Sequence, residues 1–219
     1  MPIPDDTIFS NHLIESRGVK YGEIRKIREP DIKLQYLKKR IESFLIEQVN
    51  PIGDKIIYSP FPLTILTCIA SETLGRIIEP VSKYENDKRN KNNIPKIVSV
   101  KIYGMFDKKL TRPISLKFKD SMQKVWPDDD IKNITCYSEL LHSYLRTPFI
   151  HGFRSKNVFL TEDIEGWIFE NGSLFLNPFW FWKSYKIVFE NCFNKIFNSK
   201  EKNNPYRINA LDFFDRLIN

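Results

Sequence analysis

Apolar residues recur three and four positions apart along most of this chain, and that spacing limits its fold more than any other feature. Leu34, Leu37, Ile41, Phe44 and Leu45 follow it, with Lys38, Lys39, Arg40 and Glu42 between them. Such a stripe occupies one face of an α-helix and needs a second apolar surface to cover it. The helix predicted from Asp31 stops near Asn50-Pro51, because a residue before proline avoids the α region. Pro60-Phe61-Pro62 opens a second helix with its stripe at Leu63, Leu66, Ala70, Leu74 and Ile77/Ile78, ending before Pro80.

Residues 82–96 are rich in Lys, Asn and Asp and read as a solvated loop, whose Lys88, Arg89 and Lys91 could track phosphates. Val98, Val100 and Ile102 alternate with Ser99 and Lys101, which suggests a short strand. Helical spacing returns from Ile114 to Val125, closing at Trp126-Pro127, and from Thr135 to about His151, with a stripe at Tyr137, Leu140, Leu141, Tyr144 and Leu145. The period then breaks. Asn171-Gly172 stands between the apolar runs Trp167–Glu170 and Ser173–Leu176, and this pair predicts a β-hairpin because both turn positions need φ > 0. Asn177-Pro178 follows as N-cap and first helical residue of a helix carrying Trp182, Tyr185, Val188/Phe189, Cys192 and Ile196 up to Asn198-Ser199. Asn209 to Leu217 holds a short last helix with Leu211, Phe214 and Leu217 on one side.

The expected fold is therefore all-α, a bundle of four to six helices with one small hairpin near residues 166–176. A length of 219 residues fits one domain: residues 1–30 as a partly irregular N-terminal extension and residues 31–219 as a single helical domain. A hydrophobic content of 42% is enough to bury a core and argues against a disordered chain. No run reaches the ~20 apolar residues that span a bilayer, and Met1-Pro2-Ile3-Pro4-Asp5-Asp6 lacks the basic start and apolar core of a signal peptide. Cys68, Cys136 and Cys192 are odd in number and widely spaced, so neither a disulfide framework nor a zinc ribbon is expected. A reducing cytoplasm is the default expectation. With only His12, His142 and His151, the chain has little from which to build a multi-His metal site, and nothing in it calls for a cofactor. The formal charge of +7 suits a nucleic-acid partner without requiring one.

One stretch differs from scaffold. Leu141-His142-Ser143-Tyr144-Leu145-Arg146-Thr147-Pro148-Phe149-Ile150-His151-Gly152-Phe153 places two histidines and an arginine late in an apolar helix. His142 and Arg146 are four apart and share a face. Arg146 and His151 are five apart, roughly 140° around an ideal helix. Pro148 interrupts that geometry, since it has no N–H and its ring meets the Tyr144 carbonyl. On the residues alone, His151 is either a site residue or a helix-end histidine bonded to the last carbonyls. Arg146 either binds a phosphate or pairs with Glu139 or Glu72. Glu72 is a rim residue or the group that orients Arg146. The segment Phe179-Trp180-Phe181-Trp182 is apolar on nearly every side and suggests a subunit interface.

An Arg followed by His across Arg146-Thr147-Pro148-Phe149-Ile150-His151, late in a core helix of a small helical domain, resembles the HEPN family. Residues Pro62–Gly75 look like an early core helix of bacterial HEPN-like proteins, and the resemblance extends over roughly residues 31–198. It implies an all-α domain that dimerises with its motif helices facing each other and, in many members, a metal-independent ribonuclease of a toxin–antitoxin or defence system. Carried over, His151 acts as general base or acid and Arg146 holds the scissile phosphate, with Glu72, His142 and Thr147 in support. Thr147 departs from the polar Asn, Asp or His that often follows the Arg. Phe153 stands where some family toxins carry a nucleotidyl-accepting Tyr, and it has no hydroxyl to accept one. RNA, a second copy of the chain and an antitoxin or defence partner are the implied partners, with no membrane. The alternative is a non-catalytic HEPN-like domain that binds a protein or RNA.

Overall fold

The computed structural model describes residues 3–10, 19–86, 93–125, 129–146, 158–198 and 203–219. Two short strands, β1 (Ile8–Ser10) and β2 (Val19–Lys20), pair antiparallel and lead into a single turn, α1 (Tyr21–Ile24). Helix α2 (Pro30–Ile41) passes through a π-helical segment (Glu42–Ile46) into α3 (Glu47–Gly53). Then come α4 (Pro60–Ile78), α5 (Val81–Glu85), α6 (Ile94–Phe106), a 3₁₀ turn (Lys108–Thr111) and α7 (Leu116–Val125). After a second 3₁₀ turn, Asp129–Asn133, α8 (Tyr137–Leu141) runs into a π segment, His142–Arg146. Strands β3 (Val158–Leu160), β4 (Trp167–Glu170) and β5 (Ser173–Leu176) precede the long α9 (Pro178–Asn198) and the terminal α10 (Pro205–Ile218). The fold is mainly helical, as the spacing predicts.

Two large apolar clusters fill most of the interior, and a small third one, Val81, Ile94 and Val98, joins α5 to α6. The larger draws Leu34 and Leu37 from α2, Leu63, Leu74 and Ile77 from α4, Trp182, Tyr185 and Phe189 from α9, and Phe214 from α10. The second gathers Cys68 of α4, Tyr103 of α6, Leu140, Leu141, Tyr144 and Leu145 of the α8 region, and Leu174 and Leu176 of β5. Helix α4 serves both. It is long and apolar enough by length and composition to cross a membrane, and 56% of its most apolar window is buried within the molecule. Its internal hydroxyls are satisfied by its own backbone: Thr64, Thr67 and Ser71 donate to the carbonyls of Pro60, Leu63 and Thr67 at 2.7–2.8 Å. Where α4 meets α6 the backbones nearly touch, and a Cβ on Gly75 would lie 2.6 Å from the Val98 carbonyl oxygen.

The hairpin forms as predicted. Asn171 and Gly172 take φ of 49° and 78°, and β4 pairs antiparallel with β5 from Trp167↔Leu176 to Glu170↔Ser173. A third strand was not expected: β3 pairs parallel with β5, Val158 opposite Leu174, so β5 is central. Asn177 caps α9, its Oδ1 accepting the Phe179 and Trp180 amides at 3.0 and 3.1 Å.

Three expectations are corrected. Val98–Ile102 lies in α6, not in a strand, because Val98, Ser99, Ile102 and Tyr103 bury at helical spacing; packing on α4 overrides the local alternation. Pro51 lies inside α3, where it withholds one donor without ending the helix, which continues to Gly53. Residues 82–86 and 94–96 are helical, within α5 and α6, while Lys88, Arg89 and Lys91 lie outside the described residues. Within the described part of residues 1–30, several side chains reach the core. Phe9 is fully buried, edge-on to Tyr21 and Phe214, and the Arg40 guanidinium sits 4.8 Å from its ring centroid and donates to its carbonyl. Burial lowers the Arg40 pKa from its usual value.

Candidate functional site

The motif helix begins at a well-made N-terminus. Cys136 is extended at the cap position, and Glu139, three residues on, reaches back to the Thr135 amide at 2.6 Å and hydroxyl at 2.8 Å. Its other oxygen faces Lys96 of α6 at 3.4 Å. Burial alone would raise the Glu139 carboxyl; the Thr135 donors and Lys96 outweigh it and hold it below the usual carboxylate range. Ser138 donates to the Leu110 carbonyl at 3.0 Å, tying the helix to the 3₁₀ turn Lys108–Thr111.

From Leu140 to Leu145 the helix is core on nearly every side. Leu140, Leu141, Tyr144 and Leu145 are buried, His142 is 7% exposed, and Ser143 alone is half-buried. Over His142–Arg146 the helix widens to π geometry. Pro148 provides a local reason, since it has no N–H to close an α-helical bond to the Tyr144 carbonyl. His142 therefore sits in the interior, in the same run as the buried Tyr144 and Leu145. Arg146 is the last residue of the π segment, and its side chain is outside the description, as are Thr147 and His151.

Glu72 belongs to α4. It lies four residues beyond Cys68, which packs with the motif helix, so the two share a face. Its Oε1 accepts from Arg76 Nη2 at 2.9 Å and Nε at 3.2 Å, and its side chain is 16% exposed. Glu72 pairs with Arg76, and Glu139 with Thr135 and Lys96; the pairing of Arg146 with either carboxylate lies outside the described residues.

Phe181 and Trp182, suggested as interface residues, are buried within the chain; Trp182 stacks on Tyr185 at 5.3 Å. Among the described residues no group of three or more His, Cys, Asp or Glu side chains could hold a metal ion. Sequence reasoning passed over Asp107, Lys109, Arg112 and Trp167, which meet near the start of the motif helix. The available signal was a Trp167-x-Phe169 alternation facing a basic turn, Lys108-Lys109.

No family model, curated protein or solved structure matches the chain. The class defined by its architecture is a mainly helical protein whose central motif helix leaves α geometry before Thr147-Pro148.

Proposed function

We propose that the chain is a metal-independent endoribonuclease of the HEPN type, a toxin or phage-defence component acting in the cytoplasm as a homodimer, with Arg146 and His151 at its site. The supporting observation is the π-helical end of the motif helix, since π turns concentrate at functional sites. It falls on the five residues that close with Arg146. In this reading His151 takes the 2′-hydroxyl proton, or donates one to the leaving 5′-oxygen, as the 2′-oxygen attacks phosphorus. Arg146 offers a planar, permanently charged donor pair to the non-bridging oxygens as their charge grows. The products are a 2′,3′-cyclic phosphate and a 5′-hydroxyl, and no metal ion enters.

A second reading, a non-catalytic HEPN-like domain that binds a protein or RNA, is favoured by the burial of His142, Tyr144 and Leu145, which accounts for that helix as scaffold.

The deciding experiment incubates the purified protein with total RNA and tRNA in EDTA, wild type beside His151→Ala. Cleavage by the wild type alone is expected. Activity that EDTA abolishes and a divalent ion restores would sink the mechanism, and no cleavage under any condition favours the second reading. Light scattering at tens of micromolar should give a dimer; a monomer counts against the shared site.

A further inference from the structure

A groove of about 420 Å³ opens near the N-terminal end of α8. That volume lies within the range of small-molecule pockets. One wall is aromatic: the Tyr137 ring lies 5.3 Å from Trp167 and 5.4 Å from Phe169, with Trp180 completing the lining. The other wall is cationic, formed by the exposed Lys109 and Arg112 at the 3₁₀ turn. Among the described residues neither cation forms an ion pair. Asp107 also lines the groove, but both its oxygens are used internally, Oδ1 by the Lys109 amide at 2.8 Å and Oδ2 by the Trp167 indole at 3.2 Å. Glu165, exposed at the rim, is the remaining carboxylate.

We propose that this groove binds one unpaired nucleotide of a single-stranded RNA. The ligand's identity as RNA rests on the functional reading above; its unpaired state and its orientation follow from the groove. A half-exposed aromatic wall gives a base a π-face to stack on, which a paired and stacked base cannot use. Two cations without a carboxylate partner are matched to a phosphate. Neither wall alone would choose a nucleotide: an apolar ligand leaves Lys109 and Arg112 unmatched, and inorganic phosphate leaves the rings unused. Glu165 sets the base preference. A carboxylate only accepts, so it suits the exocyclic amino group of cytosine better than the carbonyl that uracil carries at the same ring position. Tyr137 and Arg146 bound one continuous helical run, nine steps or roughly 13 Å apart at ~1.5 Å per residue. The groove therefore grips the strand beside the proposed cleavage site.

The test uses the full chain carrying His151→Ala, to prevent cleavage, and reads anisotropy of labelled oligocytidylate, oligouridylate and an RNA duplex. Oligocytidylate should bind most tightly. Trp167→Ala should weaken it at least tenfold, within the roughly 5- to 150-fold that loss of one stacking partner costs. Trp167→Phe, which keeps a ring but loses the hydrogen bond to Asp107, should bind more tightly than Trp167→Ala and less tightly than the parent. The exposed pair Lys109→Ala/Arg112→Ala should lower the salt dependence by about one counterion per lost contact, with melting unchanged. Equal affinity for the duplex, or binding indifferent to both Trp167→Ala and the cation pair, overturns the proposal. So does failure of every oligonucleotide to bind, which leaves the groove to a protein partner. Cleavage by the His151 parent without Trp167-dependent binding removes the groove and leaves the nuclease; Trp167-dependent binding without cleavage does the reverse.

Discussion

The Trp167 indole N–H donates to the Asp107 carboxylate across 3.2 Å, joining β4 to the turn that follows α6. The second oxygen of the same carboxylate caps that turn through the Lys109 amide. One side chain thus sets the separation between an aromatic wall and a cationic one. The two residues are 60 positions apart in sequence, so neither wall is positioned by local structure alone.

Replacing Asp107 with Ala should remove the cap and leave the half-buried indole N–H without its acceptor. A lost cap costs about 1 kcal/mol, and an unsatisfied donor adds about 1 kcal/mol or more. Urea denaturation should show a loss of roughly 1–3 kcal/mol. Asp107→Asn, which keeps one acceptor oxygen and so serves only one of the two donors, should recover part of it. Equal stability of Asp107→Ala and wild type would mean that the walls are held by other contacts.

Gly75 tests the α4–α6 contact. In an open helix, Gly→Ala stabilises by about 1 kcal/mol. Here the new methyl would meet the Val98 carbonyl oxygen at 2.6 Å, and that atom belongs to the α6 backbone rather than to a side chain able to swing away. Overpacking of this kind costs about 1–3 kcal/mol. The clash should win, and Gly75→Ala should melt below wild type. A higher melting temperature would show that the helices separate easily.

How far the fold could be read from the sequence depended on how local each cause is. Asn171-Gly172 was legible because two adjacent φ values above zero demand those residues. Pro60 and the stripe to Ile78 were legible for the same reason, since start, period and stop lie within one helix. Val98–Ile102 was not: an alternation of β-branched residues suits a strand or one face of a helix, and contact with Gly75 on another element decides. The parallel pairing of Val158 with Leu174 depends on a register set by distant parts of the chain. At the candidate site, His142 and Arg146 were legible as polar residues in an apolar helix. The burial of His142 was not, because a 3.6-residue stripe gives no warning that its polar side is also covered. Asp107 and Trp167 escaped because their relationship exists only in three dimensions.

The cysteines should separate by reactivity. Cys68 and Cys192 are buried and Cys136 is half-buried at the start of α8, and none of the three is in a disulfide. Burial pushes the Cys192 thiol up to about 11, against an ordinary value of about 8.5. At neutral pH a thiol-specific reagent should label Cys136 first and reach Cys68 and Cys192 only on unfolding. Peptide mapping after brief alkylation reads the order; early labelling of Cys192 would show that α9 opens readily.

The Glu139 cap should make stability depend on acid. Its carboxyl is held below the usual range in the folded chain. A depressed folded pKa contributes stability that is present above the unfolded value of about 4.3 and is lost as pH falls through the folded one. Glu139→Gln should therefore be destabilised at pH 7, by up to about 1 kcal/mol for a partly solvated group. The gap to wild type should close below about pH 4. A gap unchanged from pH 7 to pH 3 would mean that shape rather than charge carries the contact with Thr135 and Lys96.

The motif pair carries the functional proposal, and its logic is that of groups acting together. If Arg146 and His151 form one site, either Ala substitution should remove most cleavage and the double variant should be little worse than the singles, because residues that act as a unit are strongly non-additive. A positioned general base is worth ~10²–10⁴-fold, far outside assay scatter. The thermal midpoint must be read beside the rate, since Arg146 ends a segment whose neighbours Tyr144 and Leu145 are core. The expected outcome is lost cleavage with dimerisation and melting retained. Additive partial losses would place the two residues in separate roles. Full activity in both variants with unchanged melting would make Arg146 and His151 a chance spacing, and the ribonuclease reading would fall with them.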